Sequence, residues 1–384
     1  MSKVLEGIRI IDFSKGYMAG YATMLLADFG AEVIKIELPE GDSMRTLQPK
    51  NEDGSAYNAY VNRGKKSVCI DYTGEEGREL VVKLLKTADV VCENFAADKL
   101  ESYGLGYDQI KKVNEKVIYA SLTAFGKTGP LSHIMGTDIL AQALSGLMAI
   151  TGFPESIPTA HGSRMGEQYG GVFLAYAIML ALIVKENKGI GQKIDISATD
   201  CLFTALEAGE ITCSLTGKNF KREGNPSQSI APYDTFKAKD GYISTAVSTN
   251  AQWEKFCEAM EMQDVLEDPR FATNELRGKN YIGGLREIIS GKFSTMTKFD
   301  IEKILRPYNI PCGPVLTAKE AVENDQLNIR NMIVEVEDKA VGTIKMPGMP
   351  IKMSEVDDLA FESAPLLGQH TEEYLGEDTE EIAE

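Results

Sequence analysis

The sequence predicts an α/β fold in which a parallel β-sheet is covered by helices. Short β-branched runs alternate with segments that are apolar at helical spacing. Each predicted strand is separated from the next by a helix, which favours parallel pairing and a Rossmann-like topology. The first such unit consists of IRIIDF, MAGYATMLLADFG and EVIKIEL, a predicted strand, helix and strand.

The alternation continues along the chain. Strands are predicted over SVCIDY, DVVCENF and VIYASLTAFG, and helices over GEEGRELVVKLLKTA and near AADKLESYG. From Gly136 the pattern changes to long helices over GTDILAQALSGLMAITG and GGVFLAYAIMLALIVKENKG, the second ended by Gly189 and Gly191. QKIDIS then predicts a strand and ATDCLFTALEAGEITCSL one further helix.

A polar stretch at 216–229, TGKNFKREGNPSQS, predicts a linker and a domain boundary. Beyond it, PYDTFKA and GYISTAV predict a hairpin, followed by helices over AQWEKFCEAM, GGLREIISGKF and FDIEKILRPY. The last predicted strands, CGPVLT, IVEVED and GTIKMPG, are candidates for a return to the first domain. We therefore expect a large domain of residues 1–220 plus 328–384 and a small domain of residues 225–325.

The overall composition argues against several classes of partner. Of 384 residues, 43% are hydrophobic and 25% are charged, as in ordinary globular proteins. The formal net charge of −17 argues against nucleic acid or an anionic membrane as the main partner. No segment is expected to reach the roughly 18 uncharged apolar residues of a membrane span. The N-terminus leads directly into a strand pattern without a signal peptide, so we expect a cytoplasmic protein.

Patterns typical of other chemistries are missing from the sequence. The six cysteines form no CxxC motif and no Cys/His cluster, which argues against a disulfide framework and against a zinc site. We therefore expect reduced thiols and no metal. The first strand is followed by SKGYMAG and not by GxGxxG, which disfavours an NAD-dependent dehydrogenase.

An ordered series of motifs extends over almost the entire chain: LEGIRIIDFS, LLADFGAEVIKIELPEGD, NRGKKSVCIDY, CENF, GLGYDQI, ASLTAFGKTGP, GTDILAQALSGLMAITG, GIGQKIDIS, NIPCGPVLTAKEAVENDQ, PGMPIKMSE and APLLGQHTEEYL. In this order the motifs resemble the class III CoA-transferases, which include formyl-CoA:oxalate and crotonobetainyl-CoA:carnitine transferases. The resemblance implies that an acyl-CoA and a carboxylic acid are the substrates. It also implies an interlocked homodimer, with a Rossmann-like domain built from both termini and a small domain inserted between them.

The resemblance places the catalytic carboxylate at Glu167, in MGEQYGG, where the family has an aspartate. Such a carboxylate attacks the acyl-CoA carbonyl to give a mixed anhydride, and the CoA thiolate returns to give an enzyme-bound thioester. The extra methylene of glutamate moves the reacting oxygen by about 1 Å. Gly166, Gly170 and Gly171 are candidates to let the backbone adapt and to donate N–H groups to an oxyanion.

The alternative for Glu167 is a purely structural role. A carboxylate there could cap a helix that begins near Gly170, at the positive end of the helix dipole. Asp138, in the GTD segment, and Glu155, in a loop, are the other nearby acids.

The resemblance also indicates the residues that line the CoA site. The loop after the first strand contributes Ser14, Lys15, Gly16, Tyr17 and Met18. In CENF, Asn94 and Phe95 are expected to hold adenine or pantetheine.

Basic residues are candidates for the phosphates of CoA. The NRGKK turn supplies Arg63, Lys65 and Lys66, which either contact the nucleotide or form a solvated turn. A phosphate-binding arginine of the family aligns with Ser102, so Lys99, one turn earlier, is a candidate replacement. Lys127 is either a further phosphate contact or an exposed charge.

Two rival functions remain open at this point. An α-methylacyl-CoA racemase shares the fold but needs a histidine directly before an aspartate, where this chain has Thr137 in GTD. A non-catalytic CoA-binding homologue is the other alternative. The segment 248–254 has no glycine run that could form the family's flap, and Trp253 either closes the site or belongs to the core. The side chains of Tyr57, Tyr60, Tyr169 and Met135 suggest an organic acid of moderate size.

Overall fold

The computed structural model describes residues 4–227, 229–356 and 359–376, which form two compact units. The large unit comprises 1–149, 158–220 and 326–384, and the small unit comprises 150–157 and 221–325. The break after Phe220 falls within the polar stretch at 216–229. The short segment 150–157 belongs to the small unit, although the sequence had suggested an uninterrupted large domain up to residue 220.

The large unit is built on a six-stranded sheet with strand order β3-β2-β1-β4-β5-β6, in which every pair of neighbours is parallel. Its strands are Arg9–Asp12 (β1), Glu32–Glu37 (β2), Lys66–Cys69 (β3), Val90–Glu93 (β4), Ile118–Thr123 (β5) and Lys193–Ser197 (β6). The predicted α/β fold with a parallel sheet is confirmed. The strand order runs from β1 towards one edge of the sheet and from β4 towards the other, which leaves a crevice at the carboxyl ends of β1 and β4. Open α/β sheets bind their ligands at such a crevice.

Helices cover both faces of this sheet, as the buried β-branched strands require. The helices of the large unit that precede the small unit are Met18–Asp28 (α1), Ala56–Val61 (α2), Glu75–Leu85 (α3), Lys99–Ser102 (α4), Tyr107–Val113 (α5), Asp138–Leu144 (α6), Leu147–Ile150 (α7, whose last residue lies in the small unit), Met165–Lys188 (α8), Ala198–Thr204 (α9) and Gly209–Thr216 (α10). A 3₁₀ turn spans Ser43–Thr46. The long helix α8 packs on α1 and β5 and ends at Gly189, as predicted.

Two predicted long helices are each broken into two. The first stops at α6 and resumes at α7, because Gly146 between them has φ +88°, which a helix cannot include. The second is divided into α9 and α10, where Glu207 takes φ +60°. Conversely, α8 begins at Met165 and not near Gly170.

The small unit contains a three-stranded antiparallel sheet. Its strands are Tyr233–Ala238 (β7), Gly241–Ala246 (β8) and Cys312–Pro314 (β9), and the predicted hairpin is confirmed. Its helices are Asn250–Ala259 (α11), Gln263–Leu266 (α12), Asn274–Lys279 (α13), Arg286–Phe293 (α14), Lys298–Leu305 (α15) and Ala318–Val322 (α16), with short 3₁₀ turns at Pro269–Phe271 and Arg306–Tyr308 and an irregular turn at Tyr281–Leu285. Trp253 is buried in the core of this unit and stacks on Phe256.

The chain ends within the large unit after α17, Asp325–Ile329. There Ile333–Asp338 (β10) and Gly342–Pro347 (β11) form an antiparallel pair, and Thr371–Leu375 forms α18. The expected return to the large unit is therefore made by these two strands. It is not made by CGPVLT, which pairs with β8 in the small unit because the edge of that strand is available there.

Helix α8 contradicts one expectation drawn from the sequence. By length and composition alone, Met165–Lys188 could cross a membrane, and it is the single such helix in the described part of the chain. A helix with these properties is also common in protein cores, and 33% of its most apolar window is buried in this unit. Length and composition alone are therefore weak grounds for a membrane span.

Candidate active site

Loops that follow β1, β2, β4 and β5 meet in a cleft at the carboxyl edge of the parallel sheet. The cleft has a volume of about 230 Å³. Its lining residues all belong to the large unit: Lys15, Gly16, Tyr17, Met18, Ser43, Met44, Asn94, Ala96, Thr123, Ala124, Ile134, Met135, Gly136, Arg164 and Glu167. The cleft therefore brings Glu167 together with five of the predicted CoA-site residues, namely 15–18 and 94.

Glu167 occupies the first turn of α8, with its side chain 11% exposed. Its Oε2 lies 3.3 Å from Nη1 of Arg164. The backbone N–H groups of Gly166 and Glu167 donate to Oδ1 of Asp138, at 2.7 and 3.2 Å. Asp138 thus accepts the backbone N–H groups at the start of the helix, whereas the hydrogen bond of the Glu167 carboxyl within the described residues is the one from Arg164.

Opposing influences act on the pKa of the Glu167 carboxyl. Burial is the largest influence and raises the pKa of the carboxyl, while the Arg164 guanidinium acts in the opposite direction and the nearby Asp138 charge adds to the increase. The net pKa is raised from the usual value of 4.5. A carboxylate that is partly desolvated and paired with only one cation is a better nucleophile than a fully solvated one.

Two buried charged side chains, Asp42 and Lys35, form hydrogen bonds with the backbone of the loop after β1. Asp42 is 4% exposed and accepts the N–H of Gly16 with both oxygens, at 3.0 and 3.1 Å, and the N–H of Met44 at 2.9 Å. Lys35 pairs with Asp42 at 2.9 Å and donates to the carbonyl of Ser14 at 2.6 Å. These two side chains therefore fix the backbone on two walls of the cleft.

The electrostatics of this pair are strongly coupled. Burial alone would raise the pKa of Asp42, but the Lys35 charge and the Met44 and Gly16 N–H groups outweigh it and lower that pKa to about 2. Burial likewise opposes the charge of Lys35, yet the surrounding carboxylates raise its pKa. Both groups are charged in the folded state.

The side chain of Asn94 forms two hydrogen bonds with the backbone of Lys15. The Asn94 amide accepts the N–H of Lys15 at 2.8 Å and donates to its carbonyl at 2.7 Å. Asn94 therefore orients the loop, and it also lines the cleft. Phe95 packs against the hydrophobic core beside β4 and is outside the cleft lining. Ser14 is buried below the loop, and its hydroxyl is outside the lining as well.

Three of the basic residues that were candidates for CoA phosphates are buried in ion pairs. The Arg63 guanidinium donates to both oxygens of Asp28 at 3.0 and 2.6 Å. The pairs of the other two are Lys65 with Asp12, at 3.0 Å, and Lys127 with Glu93, at 2.9 Å. The expectation of an exposed phosphate contact is therefore corrected for these residues, because their charges balance acids inside the large unit. For the same reason, the alternative of a solvated turn at 62–66 is wrong for Arg63 and Lys65, and the alternative of an exposed charge is wrong for Lys127.

Lys66 and Lys99 also lie outside the cleft lining. Lys66 begins β3 and lines a separate depression beside β2. Lys99 begins α4, with its ammonium 4.7 Å from the centre of the Tyr103 ring. Neither lysine therefore lines the cleft that contains Glu167.

The glycines near Glu167 serve packing instead of oxyanion binding. Gly166 donates its N–H to Asp138, and Gly170 and Gly171 lie within α8, where backbone N–H groups bond along the helix. A Cβ on Gly171 would lie 2.9 Å from Cδ1 of Tyr21 in α1. The expectation that these glycines supply an oxyanion hole is therefore not supported by the backbone.

Arg164, Asp138 and Asp42 are the site residues to which sequence reasoning assigned no role or a different one. Arg164 precedes Glu167 by less than one turn, so a search for charges at helical spacing around the acid could have found it. The sequence indicates Asp138 only as a rival acid. Asp42 is far from Gly16 in sequence, and no local pattern connects them.

The histidines do not support proton transfer at this site. None of the described histidines lines the cleft, and Thr137 precedes α6 without a side-chain capping bond. Groups of three or more potential metal ligands were also not found among the residues that the structure describes.

Fold and site together define an α/β protein with Rossmann-type strand order, whose crevice holds a buried carboxyl group. The model of CoA-transferase family III matches residues 5–371. The chain therefore belongs to CoA-transferase family III, as the sequence motifs predicted.

Relatives and solved structures agree with this assignment over nearly the full chain. The succinate–glutarate CoA-transferase of Agrobacterium fabrum is 35% identical, over 97% of this chain and 95% of its own length. The formyl-CoA:oxalate CoA-transferase of Streptomyces coelicolor is 31% identical, over 98% of this chain and 95% of its own. A CAIB/BAIF family protein from Brucella suis has a similar structure, with a TM-score of 0.89, 34% identity and coverage of 97% and 98%.

Proposed function

We propose that this protein is an acyl-CoA:carboxylate CoA-transferase in which Glu167 is the nucleophile. The observation that carries the proposal is the position of the Glu167 carboxyl, buried in the wall of a cleft formed by the 15–18 loop and Asn94. This crevice is where α/β sheets of this topology bind their ligands. Membership of the family supplies the reaction class, and the cleft supplies a carboxyl that can perform it.

The proposed chemistry transfers CoA without loss of the thioester to water. An oxygen of Glu167 attacks the thioester carbon of the donor, the C–S bond breaks, and a mixed anhydride and CoA thiolate result. The thiolate then attacks Cδ of Glu167 and releases the donor acid. The acceptor carboxylate attacks the resulting glutamyl thioester, and the released thiolate attacks the acyl carbon of the new anhydride, which restores Glu167.

CoA is proposed to lie along the loop after β1. Lys15 is 42% exposed at the side of the cleft and provides a cation for a phosphate. Helix α1 begins at Met18, so its positive N-terminal end faces the same loop. Met18 and Met44 offer apolar surface to the pantetheine arm.

The proposed substrates are small carboxylic acids and their CoA thioesters. The relatives act on succinate, glutarate and oxalate by their names. A panel of these acids, together with branched and aromatic monocarboxylates, is the appropriate screen, with CoA esters separated by mass spectrometry.

Trapping the intermediate tests the proposed role of Glu167. The enzyme is incubated with each acyl-CoA of the panel and no acceptor, treated with hydroxylamine, and digested for mass spectrometry. We expect a hydroxamate on the peptide that contains Glu167 and loss of transferase activity. The Glu167→Gln variant should bind CoA as the wild type does, remain unmodified and be inactive, whereas Glu167→Asp should retain activity.

Two results would contradict the assignment. Full transferase activity of Glu167→Gln would place the nucleophile elsewhere. An unmodified wild-type enzyme with every donor in the panel, combined with tight CoA binding, would favour a non-catalytic CoA-binding homologue.

We also propose a homodimer in the cytoplasm. Helix α8 presents a stripe of exposed apolar side chains: Val172, Tyr176, Leu180 and Ile183, each between 46% and 59% exposed. Such a stripe on one helix is typical of a surface that another protein chain covers. All six cysteines are free, in agreement with a reducing compartment.

A further inference from the structure

Arg164 is ion-paired with the proposed nucleophile and stands directly before α8. Its Nη1 lies 3.3 Å from Oε2 of Glu167, and its Cζ lies 5.6 Å from the centre of the Tyr57 ring. The Arg164 side chain is 40% exposed, whereas that of Glu167 is 11% exposed. The guanidinium is therefore held at the wall of the cleft and remains open to it.

This guanidinium has unused hydrogen-bonding capacity. Within the described residues, the contact with Glu167 is the only hydrogen bond of the Arg164 side chain. Arg63, by contrast, donates to both oxygens of Asp28 and to the carbonyl of Pro347. Since a guanidinium carries five N–H donors in a planar fork, Arg164 can bind a further carboxylate.

The other cations near the cleft are less suited to this task. Lys15 is the other cationic lining residue in the described part of the cleft, and its Nζ lies 3.7 Å from a carboxylate oxygen of Glu40. The lysines beneath the cleft are buried and paired with acids: Lys35, Lys65 and Lys127. A carboxylate that approaches Glu167 therefore meets Arg164 as its cation.

We propose that Arg164 binds the carboxylate of the free acid substrate next to Cδ of Glu167. This inference rests on the proposed function and adds to it a residue that recognises the acid. In the resting enzyme the ionised Glu167 is the anion that pairs with Arg164. Once Glu167 has become a thioester and the donor acid has left, Arg164 has lost its anionic partner, and the acceptor carboxylate takes that place.

The charges balance through the second half of the reaction. An oxygen of the bound acid forms a bond to Cδ as the Cδ–S bond breaks, and CoA leaves as the thiolate. The thiolate then attacks the acyl carbon of the acid, the bond from that carbon to the Glu167 oxygen breaks, and the carboxylate of Glu167 pairs with Arg164 again. The anion beside the guanidinium is thus the Glu167 carboxylate in the free enzyme and the carboxylate of the bound acid in the thioester form.

Steady-state kinetics of Arg164→Gln and Arg164→Lys in both directions of transfer test this role. Loss of a charge-assisted bidentate contact should raise the KM for the free acid by about tenfold or more in each direction. The KM for both acyl-CoA substrates should change by less than about threefold, because their thioester groups are uncharged. The KM of Arg164→Lys for the free acid should lie between those of the wild type and Arg164→Gln, since lysine keeps the charge and loses the planar fork.

Arg306→Gln is the matched control, because Arg306 is 72% exposed, pairs with Glu302 within one helical segment and lies outside the cleft. It should leave every KM unchanged. Thioester formation on Glu167 from acyl-CoA alone, measured by mass spectrometry, separates the possible failures. Slower thioester formation with an unchanged KM for the acid would overturn the proposal and leave Arg164 as a positioning residue for Glu167. Absence of any thioester in the wild type would overturn the proposed function, and this inference with it.

Discussion

At the scale of single residues, the site combines one buried carboxyl with one incompletely paired guanidinium. Glu167 is largely desolvated, and its partner Arg164 contacts one of its oxygens at 3.3 Å. Burial raises the pKa of Glu167 more than Arg164 lowers it. The proposed nucleophile is therefore available only to the extent that the pH ionises it.

We predict that the acid limb of kcat/KM for acyl-CoA lies above the usual glutamate pKa of 4.5. Only the ionised carboxylate attacks, so activity should fall as the pH drops through the raised pKa of Glu167. The limb should move further upward in Arg164→Gln, which removes the charge that opposes the increase. Circular dichroism at each pH separates this effect from unfolding, and an acid limb at or below 4.5 would contradict the assignment.

The buried pair of Asp42 and Lys35 gives a second prediction at this scale. Replacing Asp42 with Asn leaves Lys35 buried without its partner and should lower the free energy of unfolding at pH 7 by about 3 kcal/mol. The pKa of Asp42 is about 2 in the folded state, against an ordinary value of 3.8. Its contribution to stability is thus complete above pH 4 and is lost as the pH falls towards 2.

Urea unfolding of the wild type and Asp42→Asn between pH 7 and pH 2.5 measures this effect. The difference in unfolding free energy should be largest at neutral pH and should shrink below pH 4. Glu275→Gln, which breaks an exposed ion pair with Lys279, is the control and should show little change. A difference that stays constant down to pH 2.5 would mean that Asp42 is not the titrating group.

At the scale of elements, the close packing of α8 on α1 connects the fold to the site. Glu167 lies at the start of α8, and Met18, which lines the cleft, starts α1. The two helices approach closely at Gly171, where an added Cβ would also lie 3.2 Å from the Met18 carbonyl. A change at this contact should therefore affect both stability and catalysis.

We predict that Gly171→Ala lowers the free energy of unfolding by about 1–3 kcal/mol, since α1 or the Tyr21 ring must move to admit the methyl group. It should also lower kcat, because α1 carries one wall of the cleft. Gly291→Ala in α14 is the matched control: it is also a glycine in a helix, and its added Cβ would have no neighbour within 4 Å. That variant should be neutral or more stable by up to about 1 kcal/mol. Equal effects of both substitutions on urea unfolding would contradict the packing argument.

The elements were easier to predict than the site, for a physical reason. Strands β1 and β2 and helix α1 follow from local periodicity, and the β7–β8 hairpin follows from its turn. The breaks at Gly146 and Glu207 depend on backbone angles that periodicity does not contain. Periodicity therefore predicted one continuous helix where the structure has two, in α6–α7 and in α9–α10.

Predictions of site residues worked best where residues are close along the chain. The 15–18 loop and Glu167 do line one cleft, as the motifs indicated. Arg63 and Lys127 were expected at a ligand, but Asp28 and Glu93, distant in sequence, bury and neutralise them. A basic residue in a motif cannot be assigned to a phosphate until its acidic partners are known, and those partners are set by the tertiary structure.

At the scale of the whole molecule, the net negative charge of the chain contrasts with the cations that line the proposed active site. A net charge of −17 repels a polyanionic thioester at long range. Many of the basic side chains near the site form ion pairs with buried acids. Lys15 and Arg164 are the cations that line the described cleft. Binding of acyl-CoA should therefore depend on Lys15, the cation proposed to contact a CoA phosphate, more than on the overall field, whereas Arg164 is proposed to bind the free acid.

The exposed apolar stripe on α8 gives the last prediction, which tests the proposed dimer. The stripe runs from Val172 to Ile183 on the face opposite Leu174 and Ile178, which are buried against the sheet. A lysine at Leu180 would place a charge in a surface that a second copy is proposed to cover, and desolvating that charge is costly. We expect Leu180→Lys to run as a monomer in size-exclusion chromatography with light scattering, whereas Leu180→Met, which keeps the surface apolar, should remain a dimer like the wild type. A wild-type monomer would refute the dimer directly, and an undisturbed dimer in Leu180→Lys would place its interface away from this stripe.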